Sequence, residues 1–381
     1  MDNSHYFKVA IASSDNFDSK QAIDEVLEKC KNELKGSIPN AGLVYISIYQ
    51  DHEEVLNRIM QDYPDLELIG CTHDGVLNSS TSYDEDAVSL TLFSSDVVEI
   101  YSGASQDVSQ DIEGAVSKAL ATTLSRSNKT PRICISALPS LTSSGALMTE
   151  QMRSFLGEKI PIFGGAAADD WNFKETLQFH KNKIFQNSNP YLLFFGPLKF
   201  SSGVESGWVG SGEKMQITKS EGNIVYKIGD KTAVEYFQHY LGENITPLGE
   251  YPLVVYENDD KHPYLRAALG ADYEKGTLVF AGDVPVGALV QVGFTDRNKI
   301  IEASKKSVEK SLETYSGECP EVLICFSCSA RKQVLGSRTG EEYELVRSIT
   351  SLKVSGLYGY GEIAPVEEGA PTRFHNETFV S

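Results

Sequence analysis

Apolar positions along the chain follow two rhythms that repeatedly change places. KVAIASS from Lys8 is a continuous apolar run and predicts a buried strand. Ile23, Val26, Leu27, Cys30 and Leu34 then recur three and four apart, which predicts one face of a helix. The same change of rhythm occurs in AGLVYISIY from Ala41, a helical HEEVLNRIMQDY and ELIGCTHDG. It returns in RICISALPS from Arg132, ALMTEQMRSFLG and IPIFGGAAADD, and again in VLICFSCSARKQVLG from Val322, EEYELVRSI and KVSGLYGYGEIAP. Between the first two units, AVSLTLF from Ala87 and VVEIYSG from Val97 read as paired strands. An apolar stripe at Val108, Ile112, Val116 and Leu120 reads as a helix.

From Leu177 the pattern turns to short strands, with glycines gathered at Gly203, Gly207, Gly210 and Gly212. NIVYKIG then precedes a helical KTAVEYFQHYLG that ends at Gly242. TLVFAGDVPVGALVQVGF from Thr277 predicts a hairpin turning at Gly282 to Gly287, and a helix comes next over Lys299 to Tyr315. Strand, helix, strand connections favour parallel neighbours. The expected fold is therefore α/β, with mixed, largely parallel sheets and flanking helices in two interlocked halves, 1–221 and 222–381. No low-complexity linker separates the halves, so they are expected to pack together with a pocket at their junction.

Each unit ends in a glycine-bearing loop closed by an acidic residue. These are Gly70, Cys71, His73 and Asp74; Gly164, Gly165 and Asp169 or Asp170; and Gly356, Gly359, Gly361 and Glu362. Ligands of such sheets bind beyond the carboxyl ends of the strands, so the three loops are candidates to converge on a site. The other reading is three ordinary turns.

At 381 residues, with 41% hydrophobic and 23% charged residues, the chain is long enough for two cored domains. Its 34 Lys and Arg against 53 Asp and Glu give a formal charge of -19, and no basic face is evident to neutralise phosphates. Nucleic acid and anionic membrane are therefore poor partners. No signal-like segment opens MDNSHYFKVAIASS and no apolar run is long enough to span a bilayer, so a cytoplasmic location is expected. Six cysteines in largely apolar surroundings suit reduced thiols.

Arg331 is the leading candidate binding residue, either clamping a ligand carboxylate or pairing with Glu362. Tyr358 and Tyr360 are placed to stack on a ligand or to pack as ordinary strand aromatics. Cys325 and Cys328 form a CxxC with no second pair at zinc spacing, and read as two half-buried thiols. Cys71 with His73 is a candidate nucleophile and base without an orienting third group. No GxSxG, GxxxxGK[ST] or HExxH occurs.

SCSAR at Ser327–Arg331, GLYGYGEIAP from Gly356 and FHNETF at Phe374–Phe379 resemble the C-terminal half of FIST proteins. IGCTHDGVL from Ile69 and IPIFGGAAADDW from Ile160 resemble their N-terminal half. The resemblance covers nearly the whole chain. It implies a non-enzymatic, two-part sensory module that binds small ligands such as amino acids, and one free-standing branch binds haem and senses nitric oxide. On that footing haem is the expected cofactor, with His73 as first candidate for the iron and His262, beside Pro263 and Tyr264, as second. Without an output domain such a sensor acts in trans on a partner, which the resemblance suggests is a histidine kinase or a cyclic-di-nucleotide enzyme. The expected ligand site comprises Cys71, Asp74, Gly164, Gly165, Asp169, Arg331, Tyr358, Tyr360 and Glu362. A metabolite sensor and a thiol-dependent hydrolase or transferase using Cys71 are the alternatives.

Overall fold

Each of the three strand–helix–strand units forms as its rhythm predicts, and each lies in a different sheet. The computed structural model describes residues 5–243, 249–257 and 262–381. In the first unit Ala41–Ser47 runs parallel to Glu67–His73, with helix His52–Asp62 between them. In the second, Pro131–Leu138 runs parallel to Ile162–Ala166 across helix Gly145–Leu156. In the third, Val322–Cys328 runs parallel to Lys353–Gly359, with helices Ser329–Leu335 and Gly340–Ile349 between. Local chemistry starts the helices where the apolar rhythm changes. The Asp51 carboxylate caps the first by accepting the Glu54 N–H, and the Ser144 hydroxyl caps the second by accepting that of Leu147.

Among the described residues these three pairs are the parallel ones; the other strand pairs are antiparallel, so the sheets are mixed rather than largely parallel. The reason is a hairpin that comes after each unit and pairs elsewhere. The hairpin after the first unit, Val76–Asn78 with Ser82–Asp84, adds to the edge strand of the third. The hairpin after the second, Gln178–His180 with Lys183–Phe185, adds to the first. The hairpin after the third, Glu362–Pro365 with Thr372–His375, adds to the second. The three units thus exchange hairpins in a closed cycle, which produces the interlocking.

Helices cover the outer faces. Ile23, Val26 and Leu27 of helix Ser19–Leu34 pack on the first sheet together with Val55 and Leu56. Val116, Leu120, Met148 and Met152 cover the second, and Val308, Tyr343 and Val346 cover the third. The inner faces meet in one core that draws Leu43, Ile135, Phe163, Phe194, Phe326 and Leu357 from all three sheets. Burial on both faces explains why the central strands are apolar throughout rather than alternating.

A fourth sheet, built from strands between Val209 and Phe294 with helix Ala233–Leu241 against it, has its own core around Ile217, Phe237, Leu278 and Val290. Here Thr277–Phe280 and Leu289–Phe294 do not form the expected hairpin. Strands Val209–Glu221 and Ile224–Ile228 lie between them in the sheet, and the connection crosses that pair, with Val284 N–H donating to Gly222 O and Gly287 N–H to Ile217 O. A glycine-rich link resembles a tight turn in sequence even when it spans two strands. Position 221 is the last residue of the first intervening strand, and 222 opens the turn to the second. Among the described residues no helix is long and apolar enough to cross a membrane.

Candidate ligand site where the three loops meet

Exchange of hairpins brings the ends of the parallel strands together. Asp74 N–H donates to Tyr358 O, Ala168 N–H to Thr72 O and Tyr360 N–H to Ala166 O, so each unit's closing loop is bonded to another's. Side chains tighten the junction. Asp74 Oδ1 accepts the Asp170 N–H at 2.6 Å, and the Tyr360 hydroxyl accepts the Trp171 N–H while donating to Asp169 Oδ1. Asp169 also accepts the N–H groups of Phe173, Lys174 and Glu175. These bonds hold Asp170, Trp171 and Phe173 at φ 55, 59 and 49°, a region non-glycine residues occupy only when their surroundings demand it.

Beside this junction, under the fourth sheet, is a cavity of about 350 Å³. Trp171, Phe173, Tyr360 and Phe374 form an aromatic wall, with the rings of Phe173 and Tyr360 stacked at 5.0 Å. Ala281, Gly282 and Asp283 close it from the fourth sheet, and Ser143, Cys328, Ser329 and Asn376 are among its polar lining residues. Several polar atoms here or directly behind have no hydrogen-bond partner: Ser143 Oγ, Asn376 Oδ1, Glu362 Oε1, both carboxyl oxygens of Glu377 and Asp74 Oδ2. Such orphans are uncommon in folded proteins and are expected where a ligand completes the set.

Electrostatics follow from burial. Desolvation pushes the Glu362 carboxyl up to about 8, despite bonds from the Thr378 N–H and hydroxyl and the nearby Arg331 charge. Burial likewise raises Asp74 to about 6. Glu377 is raised by burial and then by Glu362, and the Cys328 thiol by burial and then by Glu362 and Glu377.

The expected site residues separate into two groups. Asp74, Asp169, Tyr360 and Glu362 gather at the junction or behind the cavity. Arg331 does not act as expected: it is fully buried in helix Ser329–Leu335 and pairs with Glu342, not with Glu362 or an open cavity. Its Nε donates to Glu342 Oε1 at 3.0 Å, and its other donors reach Ile300 O, Ser304 Oγ and Ser206 O. Tyr358 donates to the other Glu342 oxygen and is wholly buried, so it packs the third unit rather than facing a ligand. Gly164 and Gly165 serve strand approach: a Cβ on Gly164 would sit 2.0 Å from Ser136 O.

Cys71 is buried, with its thiol pushed up to about 12 by desolvation, and has no base beside it. His73 cannot be that base, because both ring nitrogens are engaged: Nε2 lies 2.9 Å from Ala87 O, and Nδ1 accepts the Gly75 N–H at 2.9 Å. The same bonds leave His73 no lone pair for haem iron. His262 lies on the surface beside Glu367, 3.3 Å away, outside the cavity lining. The residues present therefore do not fit haem at His73, and no cluster of three or more metal-binding side chains occurs among the described residues. His375 holds the hairpin through Ala364 O, as a structural role would require. Cys325 and Cys328 are buried free thiols.

Sequence reasoning misses Glu377, Ser143, Trp171, Phe173 and Glu342 as contributors. Glu377 and Asn376 are visible within FHNETF; Glu342 lies within an amphipathic helix, where an acid reads as solvated. A second cavity of about 160 Å³ lies between Phe93, Ile135, Phe194, Leu312, Tyr315 and Ile324, at the starts of the parallel strands and away from these polar groups.

The FIST N domain matches residues 40–231 and the FIST C domain residues 233–365. An uncharacterized protein of Methanocaldococcus jannaschii is 25% identical over 339 residues, covering 82% of this chain; the chain spans 64% of that relative's length. A crystal structure of chorismatase overlays 99% of this chain and 98% of that one at a TM-score of 0.36 and 9% identity, a likeness too slight to argue from.

Proposed function

The chain belongs to the FIST family, whose domains are sensory ligand-binding modules of signal transduction, and we propose that it senses a small molecule taken up in the cavity beneath the fourth sheet. One observation supports this most strongly: buried polar atoms without partners, concentrated at the cavity where loops from all three units meet. The cavity walls belong both to the three-sheet body and to the fourth sheet, so an occupant touches both and biases how they sit together. That change is read in trans by a signalling enzyme, a histidine kinase or a cyclic-di-nucleotide enzyme.

Binding rather than turnover is the better reading because Cys328, although Glu362 lies against it, is held as a neutral thiol by burial and then by the Glu362 and Glu377 carboxyls. Haem and nitric oxide are outside this proposal, since His73 has no free nitrogen. The test is a thermal-shift screen of metabolites against the protein and against Ala281→Trp, which fills the cavity. A compound that raises the melting temperature of the parent alone supports the site. Hits that stabilise both proteins equally move it elsewhere.

A further inference from the structure

We propose that the cavity is built for a cation, a ligand presenting an ammonium group to Asn376 with Glu377 and Glu362 buried behind it, and that its uptake expels a proton from those carboxyls. This rests on the cavity being the sensory site.

Hydrogen-bonding capacity at this end of the cavity is unmatched. Asn376 lines the cavity and its Oδ1 has no donor, and behind it Glu362 Oε1 and both oxygens of Glu377 also lack one, although all three side chains are fully buried. Asn376 Oδ1 accepts, and so do the Glu362 and Glu377 oxygens once ionised. Among the described residues no cation pairs directly with them: the Arg331 charge acts on both carboxyls but its guanidinium is paired with Glu342, Lys332 donates to Asp74 O and lies 3.4 Å from Glu85, and Arg266 donates to the carbonyls of Asp283, Leu265 and Phe374. Buried carboxyls without a counter-ion take up either a proton or a ligand cation. An ammonium group brings three donors and a positive charge, and the aromatic wall of Trp171, Phe173, Tyr360 and Phe374 suits the rest of such a molecule. A ligand held by its carboxylate, as an Arg331 clamp would require, finds no free guanidinium from Arg331 here, because that residue is paired with Glu342.

Proton release comes from the surroundings. Glu362 is faced by Cys328 from the strand, Arg331 from the next helix, and Thr378 and Glu377 from the C-terminal segment. His375, opposite it in the ladder, has its ring on Ala364 O. Burial and like charge keep these acids protonated in the empty site, so a cation binds best after one has ionised. Affinity then rises by up to about tenfold per pH unit while a single proton is displaced.

The experiment is calorimetric titration with 2-phenylethylamine, the neutral 3-phenylpropan-1-ol and the anionic 3-phenylpropionate, at millimolar concentrations. The amine is expected to bind, more tightly at about pH 8 than at about pH 6 by about tenfold or more. It should lose that affinity in Glu377→Gln and in Asn376→Leu, two variants that need not both fold poorly. Binding of the propionate or alcohol as tightly as the amine, lost in Ala281→Trp, keeps the sensory site and overturns its preference for a cation. Amine binding unchanged in Ala281→Trp overturns the location, and failure of all three compounds to bind overturns both readings.

Discussion

Arg331 and Glu342 are each wholly buried, so each is the other's charge compensation. Arg331→Ala would leave an unpaired carboxylate inside the protein and is expected to cost about 3–5 kcal/mol, read as a lower urea midpoint. Glu362 gives a pH signature. Its folded value of about 8 lies above that of an exposed carboxyl, so between about 4.5 and 8 the native protein holds a proton that the unfolded chain has released. Stability is therefore lost as pH rises through that window, by at most about 1.4 kcal/mol per unit for one such group. His73 and His375, lowered by burial to about 4, act oppositely below about 6.5. The decline is thus cleanest above that point, and Glu362→Gln is expected to flatten it in denaturation curves collected across pH. Alkylation of the native protein is expected to stop at Cys319, the one exposed thiol, with the other five reacting only after unfolding. Fast labelling of Cys71 would revive a thiol enzyme.

At the scale of elements, the loop 167–175 depends on Tyr360 and Asp169. Tyr360→Phe removes the acceptor of the Trp171 N–H and the donor to Asp169, a loss of about 1 kcal/mol per bond. Faster amide exchange at Trp171 and Phe173 in the variant, with the sheets unaffected, is the expected readout. Much of this level was legible in the chain. Helix Ser19–Leu34 buries Ile23, Val26, Leu27, Cys30 and Leu34, the residues its spacing marks, and the three acid-closed loops do meet. What local pattern could not show was direction within a partnership. Arg331 comes after a strand in sequence, yet a short helix turns it inward to an acid eleven residues on. The link at Gly282–Gly287 carries the composition of a turn while bridging strands that never touch.

For the whole molecule, the cyclic exchange means that neither half owns a complete sheet set. Val76–Asn78 is an inner strand of the third unit's sheet, and Glu362–Pro365 pairs with Ile162–Ala166. Residues 1–221 and 222–381 produced separately are expected to give poorly dispersed NMR spectra, and co-expression to restore the native one. This pairing was invisible to periodicity because its partners are distant: Asn78 faces Ser355. The same distance has a consequence during synthesis. The first hairpin leaves the ribosome long before its partner strand exists, and the roughly 275 residues between them take on the order of 15–55 s to translate. Throughout that interval Val76 and Leu77, buried in the finished protein, have no sheet to enter, so the nascent chain presents them to whatever chaperone waits at the tunnel exit.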